Sequence, residues 1–389
     1  MHAVSRLLAI IGLLCSQTLA AQALHSPEIL PDRRVTFRLA APKASEVALR
    51  GNWSSGSSVT MTRSSDGTWS VTVGPLKADL YNYTFIVDGV RALDPNNSET
   101  ERDGSRFSSL LLISDPATPW ERRDVPHGSI EQIWHPAPTM RMKQRRMYVY
   151  LPPDYHQNPS RKYPVLYLLH GGGGDEDAWT TLGRAAVILD NQLAAGTAVS
   201  MIVVMPNGTD DQAASQGFGL GSTPSPQQLH APPPDPGRYA LHAPQLPEPY
   251  EGVFAESLVK DVVPFIERTY RVDASADHRA IAGLSMGAAQ TVVITANNPA
   301  LFDYIGVFSG GGMVGEPRFE AQLDALARAK PRLYWTGAGD DDLARLRTAA
   351  LYNQAKAKGL PATYKEIPGT HSWPVWRDFL ADFSGRLFK

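Results

Sequence analysis

The chain has 389 residues, 43% of them hydrophobic and 20% charged, enough to bury a large core and, by its length, to form two domains. Lys plus Arg number 37 against 39 for Asp plus Glu, and the net charge of -2 supplies no attraction toward nucleic acid or an anionic membrane. Cys15 is the only cysteine and sits near the start, so disulfides, thiolate metal sites and a cysteine nucleophile are excluded from the rest of the chain.

Met1 to Ala23 carries a basic residue at Arg6, an apolar core from Leu7 to Cys15, and small residues at Ala20, Ala21 and Ala23. It reads as a secretory signal, which places the mature protein outside the cell or in a bacterial periplasm. The apolar core is too short to span a bilayer, and no later run could do so.

Four strands are expected next: Val35 to Ala40, Val47 to Gly51, Thr68 to Val73 and Leu80 to Val87. Trp69, Val71 and Val73 alternate with Ser70 and Thr72, and Asp66-Gly67 and Asp88-Gly89 supply turns. Residues 24–114 are therefore expected to form a small all-β sandwich. Val47 to Trp53, Asp66 to Trp69, Tyr81 to Phe85 and Asp94-Pro95-Asn96 resemble the immunoglobulin-like, glycogen-binding-type module found in front of several carbohydrate enzymes. The resemblance implies a sandwich and raises carbohydrate contact through this module, although Trp53 and Trp69 serve a core equally well.

Residues 115–125, with Pro116, Pro119 and the charged run Glu121 to Asp124, read as a linker. From residue 126 onward the pattern changes. Strands are expected at Ile130 to Trp134, Arg146 to Leu151, Val165 to Leu169, Met201 to Met205, Ala280 to Gly283, Tyr304 to Ser309, Leu333 to Thr336 and Thr363 to Ile367. Helical patterns at Ala178 to Leu193, Phe254 to Tyr270, Ala288 to Asn297, Phe319 to Lys330 and Leu343 to Lys358 separate most of them. Short apolar strands alternating with helices predict a parallel, doubly wound sheet, so the fold class is α/β, a doubly wound sheet behind a β-sandwich.

Arg279 to Gly287 reads strand, tight turn, helix, with Ser285 at the apex of Gly283-Leu284-Ser285-Met286-Gly287. The two glycines leave room for a sharply turned backbone that holds the serine hydroxyl exposed. Catalytic groups in such folds collect at the carboxyl ends of the strands. There the chain places Asp340, Asp341 and Asp342 after one strand and His371 after the next. A serine hydroxyl needs an imidazole to take its proton, and a carboxylate to orient that imidazole. Asp342, directly before a helix, is the first choice for the acid, then Asp341 and Asp340. His170-Gly171-Gly172-Gly173-Gly174 is expected to supply the oxyanion hole, through the amides of Gly172 and Met286. His170 is expected to tie that loop down. The chain has no His-Glu-x-x-His pair, Walker loop or dinucleotide glycine pattern, so no metal and no cofactor are expected.

Tyr148 to Pro152, Tyr163 to Gly171, Val204 to Gly208, Gly283 to Gly287, Phe308 to Gly311 and His371 to Trp376 resemble the esterase D-like branch of the α/β-hydrolases, which includes feruloyl and acetylxylan esterases of carbohydrate esterase family one. The resemblance implies a secreted serine carboxylesterase acting on feruloyl or acetyl esters of plant cell-wall polysaccharide, with Trp373, Trp179 and Phe218 as substrate contacts. Siderophore trilactone cleavage and a non-catalytic carbohydrate-binding role are the alternatives. A proline-rich insertion at 209–250 departs from the pattern and should rise on the active-site face, where Phe218, Tyr239 and Tyr250 could line a lid.

Overall fold

The computed structural model describes residues 24–53, 58–104, 106–210 and 253–389. The signal stretch, Phe218, Tyr239, Tyr250 and nearly all of the insertion lie outside the described residues.

Ten strands build the front module: β1 (Glu28–Ile29), β2 (Val35–Ala40), β3 (Val47–Gly51), β4 (Ser58–Thr60), β5 (Thr62–Arg63), β6 (Thr68–Val73), β7 (Asp79–Val87), β8 (Val90–Ala92), β9 (Thr100–Asp103) and β10 (Arg106–Ile113). They form two sheets, in the orders β1-β2-β6-β5 and β4-β3-β7-β10-β9, with β8 beside β7. Val35, Phe37 and Leu39 on one sheet, and Leu49, Tyr83 and Phe85 on the other, alternate inward into one core. Trp69 is buried in that core, and Trp53 stacks on Phe37 at 5.4 Å. Both tryptophans thus pack as core residues.

Eight strands follow: β11 (Ser129–Ala137), β12 (Met142–Leu151), β13 (Val165–Leu169), β14 (Ile202–Pro206), β15 (Arg279–Leu284), β16 (Tyr304–Phe308), β17 (Leu333–Gly339) and β18 (Ala362–Ile367). They form one sheet ordered β11-β12-β14-β13-β15-β16-β17-β18, with helices between the strands of its parallel part. The sheet is mixed where a parallel one was expected. β11 pairs antiparallel with β12, and β12 antiparallel with β14, while the rest are parallel. Only one short 3-10 turn, Pro138–Met140, separates β11 from β12, so the chain turns back along the edge instead of crossing over.

Hydrophobic clusters cover both sheet faces, and one of them joins the two domains: Leu80, Leu110 and Trp120 pack with Leu182, Trp376 and Phe379. Arg377 is fully buried at this seam. It pairs with Asp79 of β7, donates to the Leu182 carbonyl at 2.8 Å, and lies 4.8 Å from the Trp120 ring centroid. Removing one member of a buried pair strands the other charge. Asp79→Ala is therefore expected to cost about 3 kcal/mol and lower the melting temperature by roughly ten degrees. A thermal melt unchanged within two degrees would show that the pair does not hold the seam.

A buried carboxyl on β9 of the front module sets a pH dependence. Glu101 is 3% exposed, and its Oε2 has no hydrogen-bond partner among the described residues. Burial, with the nearby charge of Asp103, pushes its carboxyl up to about 7. A carboxyl raised on folding binds its proton more tightly in the folded chain, so its contribution to stability falls as pH rises from the ordinary glutamate value of 4.5 through about 7. Glu101→Gln should therefore melt a few degrees above the parent protein at pH 8 and level with it at pH 5. Equal melting temperatures at both pH values would contradict a buried, titrating Glu101.

Candidate active site

Ser285 directly follows β15 and caps the helix Met286–Asn297 with φ 52° and ψ -111°, a conformation an L residue holds only when its surroundings force it. Its amide donates to the Phe308 carbonyl at 3.0 Å. A Cβ at Gly283 would lie 2.3 Å from the Gly287 carbonyl oxygen, and one at Gly287 would lie 2.5 Å from that of His170. The turn can therefore form only with glycine at both places.

Three strand ends converge on this turn. The Ser285 hydroxyl lies 2.9 Å from His371 Nε2, and His371 Nδ1 lies 2.9 Å from Asp342 Oδ1. Asp342 Oδ1 also accepts the Ala344 amide at 2.7 Å. Burial pushes the Asp342 carboxyl up, but the hydrogen bonds of His371, the Ser309 hydroxyl and the Ala344 amide outweigh it and hold the group below its usual range. Of the three aspartates, Asp342 is the one that meets His371. Asp340 accepts the Gly369 amide at 2.9 Å, which pins the histidine loop, and Asp341 is exposed.

The Gly171–Gly174 loop lies against the nucleophile turn. A Cβ at Gly171 would meet that of Ser285 at 3.4 Å, and one at Gly172 would meet that of Met286 at 3.9 Å. The Gly172 and Met286 backbones are thus neighbours beside Ser285. His170 fastens the loop, as expected: its Nδ1 lies 2.8 Å from the Gly171 carbonyl, and its Nε2 accepts the Gly208 amide at 2.8 Å. Burial holds this imidazole neutral, which suits one donating and one accepting nitrogen.

The expected substrate contacts divide. Trp373 is partly exposed and packs between Trp179 and Trp376, at 5.2 and 5.3 Å. Trp179 is 1% exposed, and its indole nitrogen donates to the Leu169 carbonyl at 2.9 Å. It lies beneath the surface that a substrate could reach, which corrects its placement among the contacts. Trp376, not singled out beforehand as a site residue, stands edge-on to His371 at 5.0 Å and donates to the Ser309 hydroxyl at 2.9 Å. Its signal was the i+3 spacing of Trp373 and Trp376 on one helix face. The arrangement can move a proton from a hydroxyl to an imidazole backed by a carboxylate, beside amides able to hold an oxyanion.

A family model described as "Putative esterase" matches residues 139–387. The chain is 28% identical over 374 residues to an endo-1,4-beta-xylanase/feruloyl esterase of Xylanibacter ruminicola, an alignment covering 93% of this chain and 46% of that protein. The chain thus spans about half the length of that relative. In fold it is similar to a ferulic acid esterase from Anaeromyces mucronatus, with a TM-score of 0.54 and 22% identity over 72% of this chain and 98% of the other. It is also similar to the enterobactin esterase of Shigella flexneri, with a TM-score of 0.61 and 15% identity over 90% of this chain and 92% of the other.

Proposed function

The chain belongs to the family described as "Putative esterase", and from that premise we propose that it is a serine carboxylic-ester hydrolase acting on feruloyl or acetyl esters of plant cell-wall polysaccharide. The observation that carries the reading is the relay of two 2.9 Å contacts, from Asp342 through His371 to Ser285. His371 takes the hydroxyl proton as Ser285 Oγ attacks the ester carbonyl carbon. The carbonyl oxygen becomes an oxyanion facing the Gly172 and Met286 amides. The bond to the alcohol breaks, and the alcohol leaves with the proton from His371. Water, deprotonated by His371, then releases the acid from Ser285.

The sugar-ester preference follows the 28% identity to a xylanase/feruloyl esterase, which extends through the front module. The front module would act first as a spacer packed on the catalytic part, with carbohydrate contact the lesser reading, and removal of Met1 to Ala23 would release the enzyme outside the cell or into the periplasm. Cleavage of an enterochelin-type trilactone is the second reading, raised by the likeness in fold to an enterobactin esterase over 90% of the chain. The two separate when the protein is assayed against methyl ferulate, acetylated xylan, a nitrophenyl acetate and ferric enterobactin. Ferulate or acetate release is expected. Enterobactin cleavage without either would reverse the order.

A further inference from the structure

The loop that would hold the oxyanion is buttressed from the other domain. Arg102 belongs to β9, an edge strand of the front module, yet its guanidinium leaves the module and pairs with Asp175 at 2.8 Å. Glu176 lies 3.7 Å from the same guanidinium. These two acids directly follow Gly171–Gly174, and both side chains are fully buried. From its own domain Glu176 is held by Arg146 and by the Asn207 amide at 3.0 Å. Asp175 accepts the Asp177 amide at 2.9 Å and meets Arg102 on its other oxygen. The neighbouring Asp103 backs the loop as well, its Oδ1 lying 2.9 Å from where a Gly174 Cβ would stand.

We infer that Arg102 is a positioning residue for acyl transfer, through which the front module sets the oxyanion loop; this rests on the serine-esterase reading above. A glycine run has no side chains of its own to fix its path, so its amides are aimed by what anchors its ends. One end is anchored by His170, the other by the Asp175-Glu176 pair. Burial and the adjacent Glu176 push the Asp175 carboxyl up to about 8, and the Arg102 guanidinium lying between the two acids works against that rise and fixes both directions. Without it, Asp175 loses its cross-domain charge partner, and the Gly172 amide drifts from the position where the oxyanion forms. A displacement of about 1 Å near reacting atoms costs on the order of a hundredfold in rate. An oxyanion donor acts chiefly in the transition state, so kcat should fall while KM stays nearly constant.

The test uses the full chain and a nitrophenyl acetate small enough not to touch the module. Arg102→Gln is expected to lower kcat roughly ten- to a hundredfold with KM within about twofold. Binding of a boronic acid, whose adduct with Ser285 copies the tetrahedral anion, should weaken in parallel with kcat. Arg102→Lys, which keeps the charge but not the fork, should recover part of the loss. Because the single change leaves buried acids short of a partner, Arg102→Gln with Asp175→Asn provides a neutral pair that preserves the fold and keeps kcat low. Wild-type kcat and boronate affinity in either folded glutamine variant would overturn the inference. If the parent protein hydrolyses no ester, it is the functional reading that fails.

Discussion

Ser285→Ala is expected to lower turnover by about a million-fold, as loss of the nucleophile does in serine hydrolases, while the folded protein persists. The hydroxyl bonds to His371 Nε2 at 2.9 Å, and the backbone bond from Ser285 to Phe308 does not involve the side chain. Alanine retains the Cβ that the turn already accommodates, so the melting temperature should move by a degree or two at most. What remains should be the weak catalysis of a site that still binds an ester and faces it with the loop amides. Initial rates on a nitrophenyl ester, with a thermal melt of the same sample, check both halves. Near-normal turnover in a correctly folded variant would remove Ser285 from the chemistry.

The parts of the fold legible in the sequence are those where burial repeats at short range. The strands β13, β15, β16 and β17 are apolar on both faces, and each lies within three residues of its expected ends. β9 reads Thr-Glu-Arg-Asp, and no hydrophobic pattern could announce it, because its buried residues are the charged Glu101 and Arg102, the latter paired with Asp175 of the other domain. The helix expected over Ala178 to Leu193 breaks into Ala178–Thr181 and Ala185–Ala194. Arg184 has φ 51° there, and the Gly183 backbone passes so close to Trp179 that a Cβ would come within 2.4 Å. That break is a tertiary fit, invisible to periodicity. The helix Trp373–Ser384 was missed for a different reason: Pro374 near its start reads as a loop signal, although proline is tolerated in a first turn.

The site was legible in kind and order, and less so in which groups reach which. Ser285, Asp342 and His371 are read from strand ends because the fold collects functional groups there. Arg102 and Trp376 act on the site through packing between distant segments, which no local pattern encodes. Trp179 went wrong for the same reason. A tryptophan beside a glycine loop resembles a binding residue in sequence, and only its burial beneath the edge-on Trp373 shows it to be inside.

The choice among the three aspartates gives the second large effect. Asp342→Asn should lower turnover by about four orders of magnitude, the loss the corresponding change produces in serine proteases. The geometry argues that charge, not shape, accounts for it. His371 and the Ala344 amide both meet Oδ1, and an asparagine that keeps its oxygen there preserves both contacts. What disappears is the negative charge that stabilises the imidazolium formed as Ser285 gives up its proton. The folded carboxyl lies below the ordinary aspartate value of 3.8, so its stabilising charge is in place above that value and is lost as pH falls through the folded pKa. The melting temperatures of variant and parent should therefore converge in acid while turnover at neutral pH differs widely. Asp341→Asn, at an exposed position, should act nearly as the parent does. Asp340→Asn should cost a few-fold at most, since an asparagine oxygen can still accept the Gly369 amide. A crippling Asp341→Asn beside a near-normal Asp342→Asn would mean that the histidine takes its partner from the other aspartate during turnover, and that the 2.9 Å contact to Asp342 is not the working one.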